Sequence, residues 1–118
     1  MAYINRKNEV LAMSFDFSKA LVYYCKQIEE TGHKHIAWQL LRSGTSVCAN
    51  IFEAQTPESK SDFIHKLKIA AKECQETIYW LLLINETIES DKSEVYLKTA
   101  HSIARLLSTI IASTRKSL

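Results

Sequence analysis

Gly32, Gly44 and Pro57 are the only glycines and the only proline in the chain. A β-sandwich or barrel reverses direction many times and fills its tight turns with these residue types. Three breakers in 118 residues exclude that architecture and leave a few long helices joined by short links. Apolar residues make up 47% and charged residues 24%, so there is enough apolar side chain to build a core and disorder is excluded as the main state. The length suits one domain. No strand-type alternation, internal repeat or low-complexity tract interrupts the helical pattern.

Residues 1–13 are polar and weakly periodic and read as an N-terminal arm, leaving residues 14–118 as the bundle. The spacing predicts a first helix over 15–31, with Phe17, Leu21, Tyr24 and Ile28 on one stripe, Ser14 as its cap and Gly32 ending it. A second covers 34–55 through Ile36, Leu40, Gly44, Val47 and Ile51. Glycine inside that stripe costs about 1 kcal/mol of helix propensity, which predicts a close helix crossing at Gly44. A third runs over 57–89, with Pro57 in its first turn and Ser59 and Asp62 at capping-box spacing. Phe63, Leu67, Ala70, Cys74, Leu81 and Ile88 mark its inner face. A fourth runs over 92–115 behind the Asp91-x-x-Glu94 box, with Tyr96, Ala100, Ile103, Leu107 and Ile110 inward. Four amphipathic helices with short links predict an all-α, antiparallel up-down-up-down four-helix bundle.

The last two helices carry more apolar residues than one core stripe needs: Ile69, Ile78, Tyr79, Trp80, Leu82 and Leu83 on the third, and Leu97, Leu106 and Ile111 on the fourth. Side chains of this size left in water drive association. The sequence therefore predicts a homo-oligomer built through these helices, with Ile69, Trp80, Leu83, Leu97, Leu106 and Ile111 at the interface.

Polar residues also fall into register. Arg42, Ser46, Asn50 and Glu53 are spaced four, four and three and share a helical face. On the third helix Lys66, Glu73, Thr77 and Trp80 lie at nearby angles, with Lys72 and Glu76 beside them. Paired carboxylates next to a base could serve acid–base chemistry. The same set could equally be an inter-helix network that fixes register. The group has no histidine, no Gly-rich loop to supply backbone donors, and no nucleophile with a neighbouring base. The network reading is preferred, and no catalytic residue is assigned. A di-iron bundle needs two E-x-x-H pairs, and Asp62–His65 is a single approximate match. His33 and His35, either side of Lys34, fit a solvent-facing helix start better than a metal site. No metal, cofactor or small-molecule substrate is expected. Cys25, Cys48 and Cys74 are odd in number, lack CxxC spacing and have large apolar neighbours, so they read as buried hydrophobes of a reducing compartment. No signal-type leader opens the sequence. The longest apolar run, Ile78–Ile84, has seven residues against the about 20 needed to span a bilayer. A cytoplasmic protein without a membrane segment is expected.

The formal net charge is +2. Its distribution is uneven: Lys98, Arg105, Arg115 and Lys116 in residues 95–118 face no acidic residue there. These four are the candidates for nucleic-acid contact, although cations near a helix C-terminus also complement its dipole.

Three stretches resemble one bacterial family. They are residues 39–54 (QLLRSGTSVCANIFEA), 59–63 (SKSDF) and 71–81 (AKECQETIYWL), and the leading Ser14-Phe15-Asp16-Phe17 fits as well. The family is the four helix bundle proteins, or 23S rRNA intervening-sequence proteins. The resemblance implies a left-handed antiparallel bundle and assembly as a five-fold ring, hence a homopentamer. Some members are encoded within sequences that interrupt ribosomal RNA genes. A related branch serves diversity-generating retroelements, where a strongly basic ring binds reverse transcriptase and nucleic acid. No enzymatic activity comes with the resemblance. Its characteristic polar positions fall on Arg42, Ser46, Asn50, Glu53, Lys72, Glu73, Glu76 and Thr77, without a defined role. Cys48 and Phe52 replace the small residues usual there, and the charge is milder than in the retroelement branch. The resulting expectation is a non-enzymatic oligomer binding RNA or an RNA-associated protein. The alternative is a protein-interaction scaffold such as a reverse-transcriptase accessory protein.

Overall fold

In the computed structural model, residues 3–88 and 92–117 are described. They form four helices: α1 (Glu9–Glu30), α2 (Lys34–Glu53), α3 (Lys60–Thr87) and α4 (Ser93–Lys116). There is no strand among the described residues. Each helix packs on its neighbours in the order α1, α2, α3, α4, and α4 meets α1 more sparsely.

The first helix begins six residues before the expected position. Asn8 caps it, its side chain accepting a hydrogen bond from the Leu11 N–H. Val10 and Leu11 are buried, so the segment read as an arm contributes to the core. Ser14 is not a cap. It is fully buried inside α1 and donates to the Leu11 carbonyl at 3.1 Å, which satisfies its hydroxyl without water. Gly32 ends the turn after α1 with φ of 92°, a left-handed conformation that suits glycine.

The second helix starts at Lys34 as expected and stops at Glu53. Pro57 lies outside α3, which starts at Lys60 with Ser59 as its cap. The Ser59 hydroxyl accepts from the Asp62 N–H, and the Asp62 carboxylate accepts from the Glu58 N–H. This is a capping-box variant displaced by one residue. Asp91 lies outside the described residues, and Lys92 provides no side-chain cap for α4.

The core runs through Leu21, Leu40, Ile51, Leu67, Leu81, Ile84, Ile103 and Leu107, all essentially inaccessible to solvent. Gly44 faces Leu21 of α1 and Thr77 of α3. A Cβ there would overlap the Leu21 Cδ1, so the close crossing is real. Ile78 and Leu97, read from the sequence as surplus, are buried in the subunit core. A four-helix core reaches wider around α3 and α4 than a single stripe, and Leu97 is therefore not a free interface residue.

Candidate functional site

Arg42 sits midway along α2 and crosses to α3. Its guanidinium pairs with Glu73 at 3.3 Å and with Glu76 more closely, and its Nε donates to Gln39 Oε1. The Trp80 indole N–H donates to the same Glu76 carboxylate at 3.0 Å. Beneath this cluster the Thr77 and Ser43 hydroxyls lie 3.0 Å apart, both fully buried, with the Glu73 and Leu40 carbonyls as further partners. Nearer the start of α3, Lys66 pairs with Glu53 at 2.9 Å.

Of the eight polar positions, five therefore meet across the α2–α3 seam: Arg42, Glu53, Glu73, Glu76 and Thr77. Ser46 and Asn50 instead donate to carbonyls of their own helix, those of Arg42 and Ser46 respectively. Lys72 does not join the cluster. It lies on the outward side of α3, in a groove shared with α4. Sequence spacing missed Gln39 and Ser43. Ser43 precedes Gly44 and faces the same crossing, which was the available signal.

The Trp80 and Arg42 hydrogen bonds hold the Glu76 carboxyl below the usual carboxylate range. The folded value is lower than the unfolded one, so the stabilisation is fully present above the ordinary carboxylate pKa and is lost as pH falls below it and through the lowered folded value. The side chains are about a third exposed, so the effect stays within about 1 kcal/mol. Trp80→Phe keeps the ring packing and removes the first contributor. It should narrow the difference in stability between neutral and acidic pH, read from urea melts on either side of the carboxylate range. An unchanged difference would remove Trp80 from the account.

This cluster is an ion-pair lattice across the α2–α3 seam. Among the described residues its Ser43 and Thr77 hydroxyls bond to each other and to backbone carbonyls, and its Glu73 and Glu76 carboxylates point at a cation or an indole. The three cysteines are buried. Desolvation pushes the Cys25 thiol up to about 12 and the Cys74 thiol to about 11, and raises Cys48 as well. Protonated at neutral pH, they are poor nucleophiles and poor metal ligands. Among the described residues no three His, Cys, Asp or Glu side chains converge as a metal site, and no helix is long and apolar enough to cross a membrane.

The remaining surface has two distinct parts. Lys98, Arg105 and Lys116 are exposed and separated by seven and eleven residues, which puts them on one line along the outside of α4. Arg115 turns instead toward α3, where it surrounds Ala71, Ile111 and Ala112 together with Lys68 and Lys72. Among the described residues none of these cations is engaged in a salt bridge. The second part is apolar. Ile69, Trp80, Leu83, Leu106 and Ile111, the remaining interface candidates, are half-buried, and Trp80, Leu106 and Ile111 pack against the subunit's own core. The large apolar side chains most open to water are Val22, Tyr23, Trp38, Phe52, Tyr79, Leu82, Val95 and Tyr3. Half of these lie on α1 and α2, outside the helices that the sequence reading chose.

A family model described as 23S rRNA-intervening sequence protein matches residues 6–109, nearly the whole bundle. The chain belongs to the 23S rRNA-intervening sequence protein family. A solved structure described as a protein of unknown function from the S23 ribosomal protein family of Bacteroides thetaiotaomicron is similar, at 40% identity and a TM-score of 0.80. The match covers 86% of this chain and 97% of that one. No curated protein matches the chain. The family assignment agrees with the all-α bundle, and the matched range contains the Arg42, Glu73 and Glu76 lattice and the Gly44 crossing.

Proposed function

We propose that this intervening-sequence family protein is a non-enzymatic homo-oligomer that acts by binding, with RNA as the partner. The observation that carries the RNA reading is the line of Lys98, Arg105 and Lys116 on α4, exposed and free of carboxylate partners among the described residues. At 1.5 Å per residue the cations are separated by about 10 and 16 Å along the helix, a ladder that can meet non-adjacent phosphates on a folded nucleic acid. A single subunit offers few such contacts. An assembly repeats the ladder in each copy, and repetition raises the effective concentration of every further contact. A ring of five, as the resemblance implies, would offer five ladders. The lattice of Arg42, Glu73 and Glu76 has a structural role in this reading: it holds α2 against α3 so that the outer faces keep their spacing.

The test is the affinity of the purified protein for a structured RNA hairpin as salt is raised from about 50 to 200 mM. A steep fall supports the reading. Binding that is absent, or indifferent to salt, overturns it. A protein partner recovered without RNA would favour the scaffold alternative.

A further inference from the structure

The cavity between α3 and α4 stands apart by its charge. It measures about 380 Å³, and Lys68, Lys72 and Arg115 surround a floor of Ala71, Ile111 and Ala112. No carboxylate lines it. Cavities on other faces of the bundle each have one at the wall: Glu53, Asp16 or Glu29. The three cations are exposed and form no salt bridge among the described residues. Beyond Glu94 the sequence offers no acidic residue on α4 to neutralise them. Ala71 and Ile111 are half-buried against the core, so the bundle's own packing fixes the floor.

This placement of charge works against the helix that carries it. Lys68 and Lys72 are four residues apart on α3, about 6 Å along its axis, where like charges repel. They lie inside the Lys60–Thr87 helix, away from the C-terminal end at which a cation complements the dipole. Arg115, in the last turn of α4, does complement its own helix, yet its side chain lines the same cavity. Two alanines keep the floor low, and lysine stems can lie along it with their ammonium heads at the rim. We infer that this groove binds a small, soluble organic anion. An apolar ring or short chain would rest on Ala71, Ile111 and Ala112, with its carboxylate, sulfonate or phosphate between Lys68, Lys72 and Arg115. The volume falls within the range of pockets that take small molecules. A neutral apolar molecule would leave the three cations without a counter-charge, and a bare inorganic anion would leave the floor in water. The site uses none of the cations on the α4 line, so it stands independently of the RNA reading.

The probe is anilinonaphthalene sulfonate, an apolar ring system with one anionic head whose fluorescence rises when it leaves water. It is titrated into the full-length protein, and octanoate is then added as competitor. Octanoate should displace the dye, while octanol and octylamine, with the same chain and a neutral or cationic head, should compete about tenfold less well. Lys68→Gln combined with Lys72→Gln should weaken dye binding about tenfold through lost charge-assisted contacts. Lys26→Gln, which removes a cation lining a cavity beside α1 and α2, should leave it unchanged. Equal competition by octanol, or equal losses in the two variants, would mean that the dye marks apolar surface in general and would overturn the assignment. Displacement by anionic phospholipid vesicles or by an RNA hairpin, but not by octanoate, would also overturn it. Circular dichroism confirms the helices. Should the double variant lose helicity, Arg115→Gln carries the same test.

Discussion

Gly44→Val should destabilise the fold by about 3 kcal/mol, toward the upper end of what an enlarged residue in a packed core costs. The new Cβ alone would overlap the Leu21 Cδ1, and Leu21 is fully buried, so its side chain cannot swing away without displacing its own neighbours. The two γ-methyls of valine add to the conflict and approach the Thr77 methyl on α3. Gly44→Ala is the informative control. It regains about 1 kcal/mol of helix propensity against the cost of moving one methyl group, so its net effect should be much smaller. Shortening the obstacle should also help: Leu21→Ala combined with Gly44→Val should be less harmful than the sum of the two single changes, because both act on one shared volume. Thermal and urea melts followed by circular dichroism check all three statements. For a chain of this size the valine variant should melt roughly 10 °C lower. A variant with an unchanged melting point would mean that the helices do not approach closely at Gly44.

The second large effect concerns binding. Replacing Lys98, Arg105 and Lys116 together with Gln should remove three phosphate contacts per subunit. Each contact contributes about 0.7 to 0.9 to the slope of log affinity against log salt, depending on whether loop or stem is engaged, so the slope should fall by about two to three per engaged subunit. At about 50 mM salt the affinity for a structured RNA hairpin should drop on the order of 100-fold, and the gap should narrow as salt rises. The same substitutions leave every core residue in place, and the melting temperature should move little. Arg115→Gln makes a useful contrast. This side chain faces the α3–α4 groove, away from the α4 line, and its loss should cost less than that of Arg105. Equal losses at all four positions would point to diffuse charge instead of a ladder.

Several features could be read from the chain because they depend on local spacing. Gly44 within an apolar stripe gave the close crossing, and Ser59 ahead of Asp62 gave the start of α3. The intervals from Arg42 to Glu53 and from Glu73 to Trp80 placed Arg42, Glu53, Glu73, Glu76 and Thr77 along one seam, while Ser46 and Asn50 bond within α2. What spacing could not resolve was rotation by a fraction of a turn. Lys72 and Glu73 are neighbours in the sequence, yet one faces the α4 groove and the other reaches Arg42. The start of α1 was obscured because Ser14 looks like a cap. Its hydroxyl is instead absorbed by the Leu11 carbonyl, and the true cap, Asn8, lies a turn and a half earlier. The apolar surplus was visible, but its location was not. Ile78 and Leu97 were claimed by the core, while Trp38 and Phe52, ordinary members of an amphipathic helix by pattern, are left facing water.

Self-association is the claim on which the repeated cation ladder depends, and sedimentation equilibrium of the untagged protein at micromolar concentration addresses it most directly. The account predicts a single closed species with a mass that is a whole multiple of 13.5 kDa. A homogeneous species of 13.5 kDa at every concentration examined would contradict it.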